Sequence, residues 1–178
     1  MKLKTTDLAL CALFAALIAV CAWISIPATV PFTLQTFAVF AALGLLGGKR
    51  GTVSIAVYLL LGAVGVPVFS GFQGGVGALL GTTGGYLLGF LLAALIVWGM
   101  EARFGDKTGV FILAAVLGMI ICYAFGTAWF LVVYARTKGA VSLATVLGWC
   151  VVPFLLPDAA KIALAVLLRG RLKRHVPA

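Results

Sequence analysis

Two ionisable side chains, Asp158 and Lys161, stand three positions apart in the apolar run PFLLPDAAKIALAVLL near the end of this 178-residue chain. On a helix that spacing puts both on one face. The other acidic residues, Asp7, Glu101 and Asp106, fall at the ends of apolar runs or in a polar loop. Asp158 is therefore read as the one embedded acid and Lys161 as the one embedded base. An ionised group at mid-bilayer costs roughly 2.5–3.5 kcal/mol on insertion scales, so that face must look into protein or a cavity. Two roles follow: a mutual ion pair that fixes helix packing, or a hydrogen-bond acceptor and donor set side by side for a ligand. Replacing a buried pair by apolar residues is often harmless to stability, which favours the ligand site. Pro157 suits the first position of a helix, so a helix is expected to restart there and leave free N–H groups beside Asp158.

Three further segments carry polar or small residues where apolar ones would be expected. In PFTLQT, Pro31 to Thr36, Thr33 can cap a helix, or Gln35 can point an uncharged donor and acceptor into the same pocket. The glycine-rich stretch FSGFQGGVGALLGTTGGYLLGF runs from Phe69 to Phe90. Gly71 to Gly77 is too flexible for a lipid-facing helix, and irregular backbone at membrane depth must be buried or line a cavity. A loop covering a binding pocket fits, with Phe69, Gln73, Gly75 and Tyr86 as its expected pocket residues. Gly81, Gly85 and Gly89 form overlapping G-x-x-x-G steps suited to close helix packing. In the first apolar run, Ala9, Ala12, Ala16 and Ala19 form a small-residue stripe, either packed within the chain or free to dock a partner membrane protein.

The elements that must position these residues are set by composition. Apolar residues make up 64% of the chain and charged residues 10%, against about 25% in soluble domains. A soluble or disordered protein is excluded. The apolar runs are continuous rather than alternating, which argues against a β-barrel and for an all-α polytopic membrane protein. Spans are expected over about 8–26, 32–47, 52–66, 82–100 and 109–134, with a last region, 141–168, broken by Pro153 and Pro157. Six spans put both termini on one side together with ten basic residues: Lys2, Lys4, Lys49, Arg50, Arg103, Lys107, Arg169, Arg171, Lys173 and Arg174. Only Arg136 and Lys138 fall on the other side. The bias makes both termini cytoplasmic, in a cell-membrane protein. The apolar start, which follows Lys2 and Lys4 and lacks a small-residue cleavage site, reads as a retained first helix. A single domain is the simplest organisation.

Several activities have nothing to build from. No P-loop occurs, since Gly48–Lys49 continues with Arg50. The lone histidine, His175, lies in the basic tail, so neither a catalytic zinc site nor a Ser-His-Asp site is expected, and no metal or cofactor. Cys11, Cys21, Cys122 and Cys150 lie in apolar runs and read as small buried hydrophobes. Basic and aromatic residues do not interleave as a base-stacking surface would, so nucleic acid is not an expected partner despite the net charge of +9. The expectation is a binding protein and not an enzyme.

The runs PFTLQTFAVFAALGLLGGKRG, LLLGAVGVPVFSGFQGGVGALLGTTGGYLLGF and PFLLPDAAK, in this order and spacing, closely resemble the BioY family over roughly residues 8–168. Those proteins are the biotin-binding S components of energy-coupling factor (ECF) vitamin transporters. The resemblance implies six helices, cytoplasmic termini and a biotin pocket near the external side under covering loops. It implies that Asp158 and Lys161 bind the vitamin. It also implies that an Ala-x-x-x-Ala motif on the first helix, matched by Ala12 and Ala16 with Ala15 and Ala19 as a second register, docks the transmembrane coupling subunit. Transport would then be driven by an ATPase pair. A stand-alone oligomeric vitamin transporter and a ligand-free structural subunit are the alternatives.

Overall fold

A computed structural model describes residues 4–175. Lys2, one of the basic residues counted above, lies outside them. Eight α-helices account for most of the described residues: α1 Thr5–Trp23, α2 Gln35–Leu46, α3 Gly48–Ala63, α4 Val76–Leu80, α5 Gly84–Phe104, α6 Thr108–Lys138, α7 Leu143–Cys150 and α8 Val152–Leu172. The fold is thus all-α, with one small addition. Ser25–Ile26 (β1) pairs antiparallel with Phe32–Thr33 (β2), so that Ser25 faces Thr33 and Ile26 faces Phe32. This ribbon straddles the gap between the expected spans 8–26 and 32–47. Its loop is bracketed by Pro27 and Pro31, which suit strand ends and turns but not helix interiors.

Among the described residues, four apolar stretches are long enough to cross a membrane: α1, α5, α6 and the α7–α8 region, Leu143–His175. Helix α2, at 12 residues, is shorter than the roughly 20 a full crossing needs. Its position explains its composition. Apart from Phe37, every residue of α2 is buried, so it needs no polar face. It is the central post of the molecule, packed by α1, α3 and α8.

Helices α5 and α6 form the most extensive pairing, and glycines set their approach. A Cβ on Gly85 would stand 2.3 Å from the Trp129 Cβ, and one on Gly89 would stand 2.7 Å from the Cys122 sulfur. Those two thus serve close packing. Gly81 does not belong to the same helical stripe, because it ends α4 ahead of α5, and its carbonyl accepts from the Trp129 indole N–H at 2.9 Å.

Two expectations about the last region need correction. The helix does not restart at Pro157. It breaks at Val151, places Pro153 in the first turn of α8 and carries Pro157 inside. The first turn, where a missing N–H does no harm, is already taken by Pro153. Asp158 therefore sits well within α8 and not at a free helix start. Nor is Lys161 the one embedded base. Arg169 is 3% exposed and bonds Glu101, Asp106 and the Gly44 carbonyl. A sequence window that ends its apolar run at Leu168 assigns Arg169 to the tail, whereas α8 carries it back against α2.

Candidate functional site

The ion pair forms. Lys161 Nζ donates to Asp158 Oδ1 at 2.8 Å, and the Tyr123 hydroxyl, from α6, donates to Asp158 Oδ2 at 2.7 Å. Asp158 is buried at 3% exposure. Each carboxylate oxygen still has a lone pair free. Lys161 has further ammonium protons beyond the one given to Asp158.

These groups do not close on each other in solid protein. Asp158 and Lys161 both line a cavity of about 320 Å³, within the range typical of small-molecule sites. Four other residues anticipated from sequence share its wall: Gln35, Phe69, Gln73 and Tyr86. They arrive from three segments: α2, the glycine-rich stretch and α5. Gln35 opens α2 and lines the cavity; Leu34, not Thr33, is the N-cap and makes no side-chain cap bond, although the Gln35 backbone N–H donates to the Thr33 hydroxyl at 3.3 Å. The Gln35 side chain is buried, yet its Nε2 lacks a hydrogen-bond partner among the described residues. An orphaned buried donor is costly unless something else satisfies it.

Phe69 and Gln73 come from the glycine-rich stretch, where they pair through the Phe69 N–H and the Gln73 carbonyl at 3.0 Å. This pairing folds Ser70–Phe72 into a tight turn over the cavity. The β1–β2 loop supplies a second cover through Ala28 to Pro31. Gly75 does not reach the wall. It takes φ +89° to start α4, and its N–H bonds the Gly62 carbonyl at 2.7 Å. Its place is in shaping the loop.

Tyr86 is fixed from two directions. Its hydroxyl shares a hydrogen bond with Thr127 at 3.1 Å, and its ring lies flat over Gly126, where a Cβ would stand 2.2 Å from a ring carbon. Tyr123 and Thr127 are the contributors that sequence reasoning missed. A signal was present: they are hydroxyl residues at i, i+4 on an otherwise apolar helix, and so lie on one face. The cavity wall also includes Met119, Phe154 and two thiols, Cys122 and Cys150. All four cysteines are free and buried, as their surroundings suggested. Among the described residues no cluster of His, Cys, Asp and Glu could hold a metal ion.

The small-residue stripe on α1 divides. Ala15 and Ala19 are buried in the core, whereas Ala9, Ala12 and Ala16 are exposed beside Leu13, Leu17 and Val20. One register packs the helix inward and the other faces outward.

The arrangement can hold a molecule with a compact polar head and an apolar body. Acceptor and donor stand together at Asp158 and Lys161, and Gln35, Phe69, Tyr86 and Phe154 line the same wall. Proteins that share this scaffold are known. The chain is 42% identical over 163 residues to the biotin transporter BioY of Thermotoga maritima, covering 91% of this chain and 92% of the relative. It is 41% identical over 172 residues to a probable biotin transporter BioY of Pyrococcus horikoshii, covering 96% and 98%. Among solved structures it superposes on the S-component for biotin from an ECF-type ABC transporter. The TM-score is 0.82, at 27% identity, over 94% of this chain and 90% of that one. The sequence model of the BioY family matches residues 1–178, and the chain belongs to that family.

Proposed function

We propose that this protein is the biotin-binding membrane subunit, the S component, of an ECF-type importer. It captures biotin from outside and delivers it inward together with an ATP-driven coupling module. One observation carries this reading: an ion pair with unused hydrogen-bonding capacity lines a cavity together with Gln35, whose buried Nε2 has no partner among the described residues. Biotin has a ureido group with two N–H donors and a carbonyl, an apolar thiophane ring and a carboxylate tail. Asp158 accepts a ureido N–H. Lys161 donates to the ureido carbonyl or to the tail, and Gln35 Nε2 donates to the remaining acceptor. Phe69 and Tyr86 pack against the rings, and Gln73 closes the loop side. Buried polar groups left unpaired by a ligand lacking these atoms would reject it.

The six-span topology with cytoplasmic termini is part of the proposal. It is supported by the gathering of basic residues at one end. Asp7 pairs with Arg50, and the Arg169 cluster draws in Lys173, so α1, α3, α5 and α8 bring charged ends together there. The cavity and its two covering loops lie toward the other end, which is external in this reading. The exposed Ala12 and Ala16 face of α1 docks the transmembrane coupling subunit, whose ATPase pair supplies the energy. Small residues let a partner helix approach closely.

The test is a biotin titration on purified protein. The native chain is expected to bind at least about a hundredfold more tightly than an Asp158→Ala, Lys161→Ala variant, because hydrogen bonds to charged groups contribute about 1.5–3 kcal/mol each. Equal binding would remove the site assignment. Uptake that survives deletion of the coupling and ATPase subunits would favour the stand-alone transporter.

A further inference from the structure

We infer that the Tyr123 hydroxyl is a positioning group that keeps the Asp158–Lys161 pair open toward the ligand. This rests on the biotin-site reading above.

The two tethers on Asp158 differ in kind. Lys161 is one turn along the same helix and reaches the carboxylate on a flexible four-carbon stem, so it moves with α8 and follows the carboxylate as it turns. Tyr123 comes from α6 and has a rigid ring with two side-chain torsions. It pins one carboxylate oxygen to a different part of the frame. The pinned oxygen, Oδ2, is the one Lys161 does not touch. With both oxygens held by separate donors, the carboxylate cannot swing to present both to the ammonium. Each oxygen then keeps a lone pair for the cavity.

The surroundings make this restraint necessary. Behind the ion pair, between α6 and α8, lies a second void of about 600 Å³, an apolar groove walled by residues such as Ile112, Val116, Leu155 and Ile162. Tyr123 and Asp158, with Met119, belong to the walls of both voids and form the partition between them. Among the described residues that line the groove, Tyr123 carries the one polar side chain besides Asp158 itself. Remove that donor and the pair closes on itself, because the ammonium is then the strongest partner left. The acceptor is withdrawn from the ligand while the ring still fills the partition.

Biotin affinity and apo melting temperature of the purified full chain test this with Tyr123→Phe and Tyr123→Leu. Tyr123→Phe keeps the ring and loses the hydroxyl. It is expected to bind biotin about tenfold more weakly, the loss typical of one hydrogen bond to a charged group, with little change in apo melting temperature. Tyr123→Leu is expected to add only a small further loss. In an Asp158→Asn background, Tyr123→Phe is expected to weaken binding threefold or less, since a neutral acceptor gains about half as much from the donor. Native-like binding by Tyr123→Phe beside weak binding by Tyr123→Leu would show that the ring matters and not the hydroxyl. A tenfold loss that persists in the Asp158→Asn background would mean that Tyr123 acts independently of Asp158. Either outcome overturns the inference. If the Asp158→Ala, Lys161→Ala protein binds like the native chain, the site reading itself falls. If that protein fails to bind and Tyr123→Phe binds normally, only the positioning role falls.

Discussion

Lys161 and Arg169 stand about two helical turns apart on α8, and both hold a carboxylate in a buried setting. Their surroundings differ. At Lys161 the pair opens on a cavity, and its acceptor and donor capacity is only partly used. At Arg169 the guanidinium bonds Glu101 Oε1 at 3.3 Å, the Gly44 carbonyl at 3.1 Å and Asp106, while Glu101 also accepts from the Gly48 N–H and Asp106 from Lys173. The Arg169 guanidinium also lies over the Phe111 ring, 4.7 Å from its centre. Neither cavity described above is lined by members of this cluster. An embedded charge in a membrane protein is by default a hypothesis of function. The comparison refines that rule. What separates the Asp158–Lys161 pair from the structural clasp is spare hydrogen-bonding capacity beside a void, and not burial of charge.

The most severe way to break the comparison is at the clasp. Arg169→Met leaves Glu101 and Asp106 facing each other without their shared cation. Removing one partner from a buried pair costs about 3–5 kcal/mol. The melting temperature of the apo protein should fall sharply, while the folded fraction binds biotin with native affinity. A loss of affinity without loss of stability would erase the distinction between the two clusters.

The Asp158→Ala, Lys161→Ala pair predicts the converse. Affinity drops by at least about a hundredfold, roughly 3 kcal/mol, whereas apo stability changes by about 1 kcal/mol or less, because both charges leave together. Calorimetric titration and thermal melts on the same preparation separate the two effects.

How much of this was legible beforehand follows from the same two clusters. Asp158 and Lys161 were readable because they interrupt an apolar run at helical spacing. Arg169 was not, because a basic residue at the edge of an apolar run looks like a tail charge until the fold lays α8 against α2 and Gly44. Glu101 stands near the end of α5, as its place at the end of an apolar run suggested, but its bond from the Gly48 N–H of α3, distant in sequence, was not legible. The helical class and the pocket loop were legible from continuous apolar runs and glycine density. The β1–β2 ribbon was not, since two-residue strands leave no periodic pattern. Tyr123 was hidden among aromatics that serve the core equally well, and only its neighbour across the helix pair gives it a task.

A milder perturbation sharpens the picture at the cavity wall. Gly126→Ala would drive a methyl group into the Tyr86 ring, since a Cβ there meets ring carbons at 2.2 and 2.4 Å. Overpacking of this kind costs about 1–3 kcal/mol. Tyr86 has one place to yield, into the cavity, so biotin affinity is expected to fall about tenfold. Gly139→Ala, at a positive-φ position that ends α6 with open space around it, should lower stability by about 1–3 kcal/mol through backbone strain and leave affinity unchanged. Equal effects on binding from the two would argue that the Tyr86 contact does not shape the site.

The smallest expected effect concerns pH and the clasp. Asp106 lies in the α5–α6 connection and is half exposed. Partial burial by itself would raise its pKa, but hydrogen bonds from Lys173 and Arg169 and their charges prevail and hold it below the usual carboxylate value. A depressed folded-state pKa means that the group stabilises the fold fully above its unfolded value, about 3.9, and that this contribution is lost as pH falls through the lower folded value. Solvent screening keeps the contribution small. The apo melting temperature of the native chain should therefore decline on acidification below about pH 4, over and above any decline in an Asp106→Asn variant. At pH 7 the variant should already be slightly less stable and should bind biotin as the native chain does. A variant with the same acid limb as the native protein would show that Asp106 is not the titrating group. A variant with weakened biotin binding would connect the clasp to the cavity and remove the contrast between the two clusters.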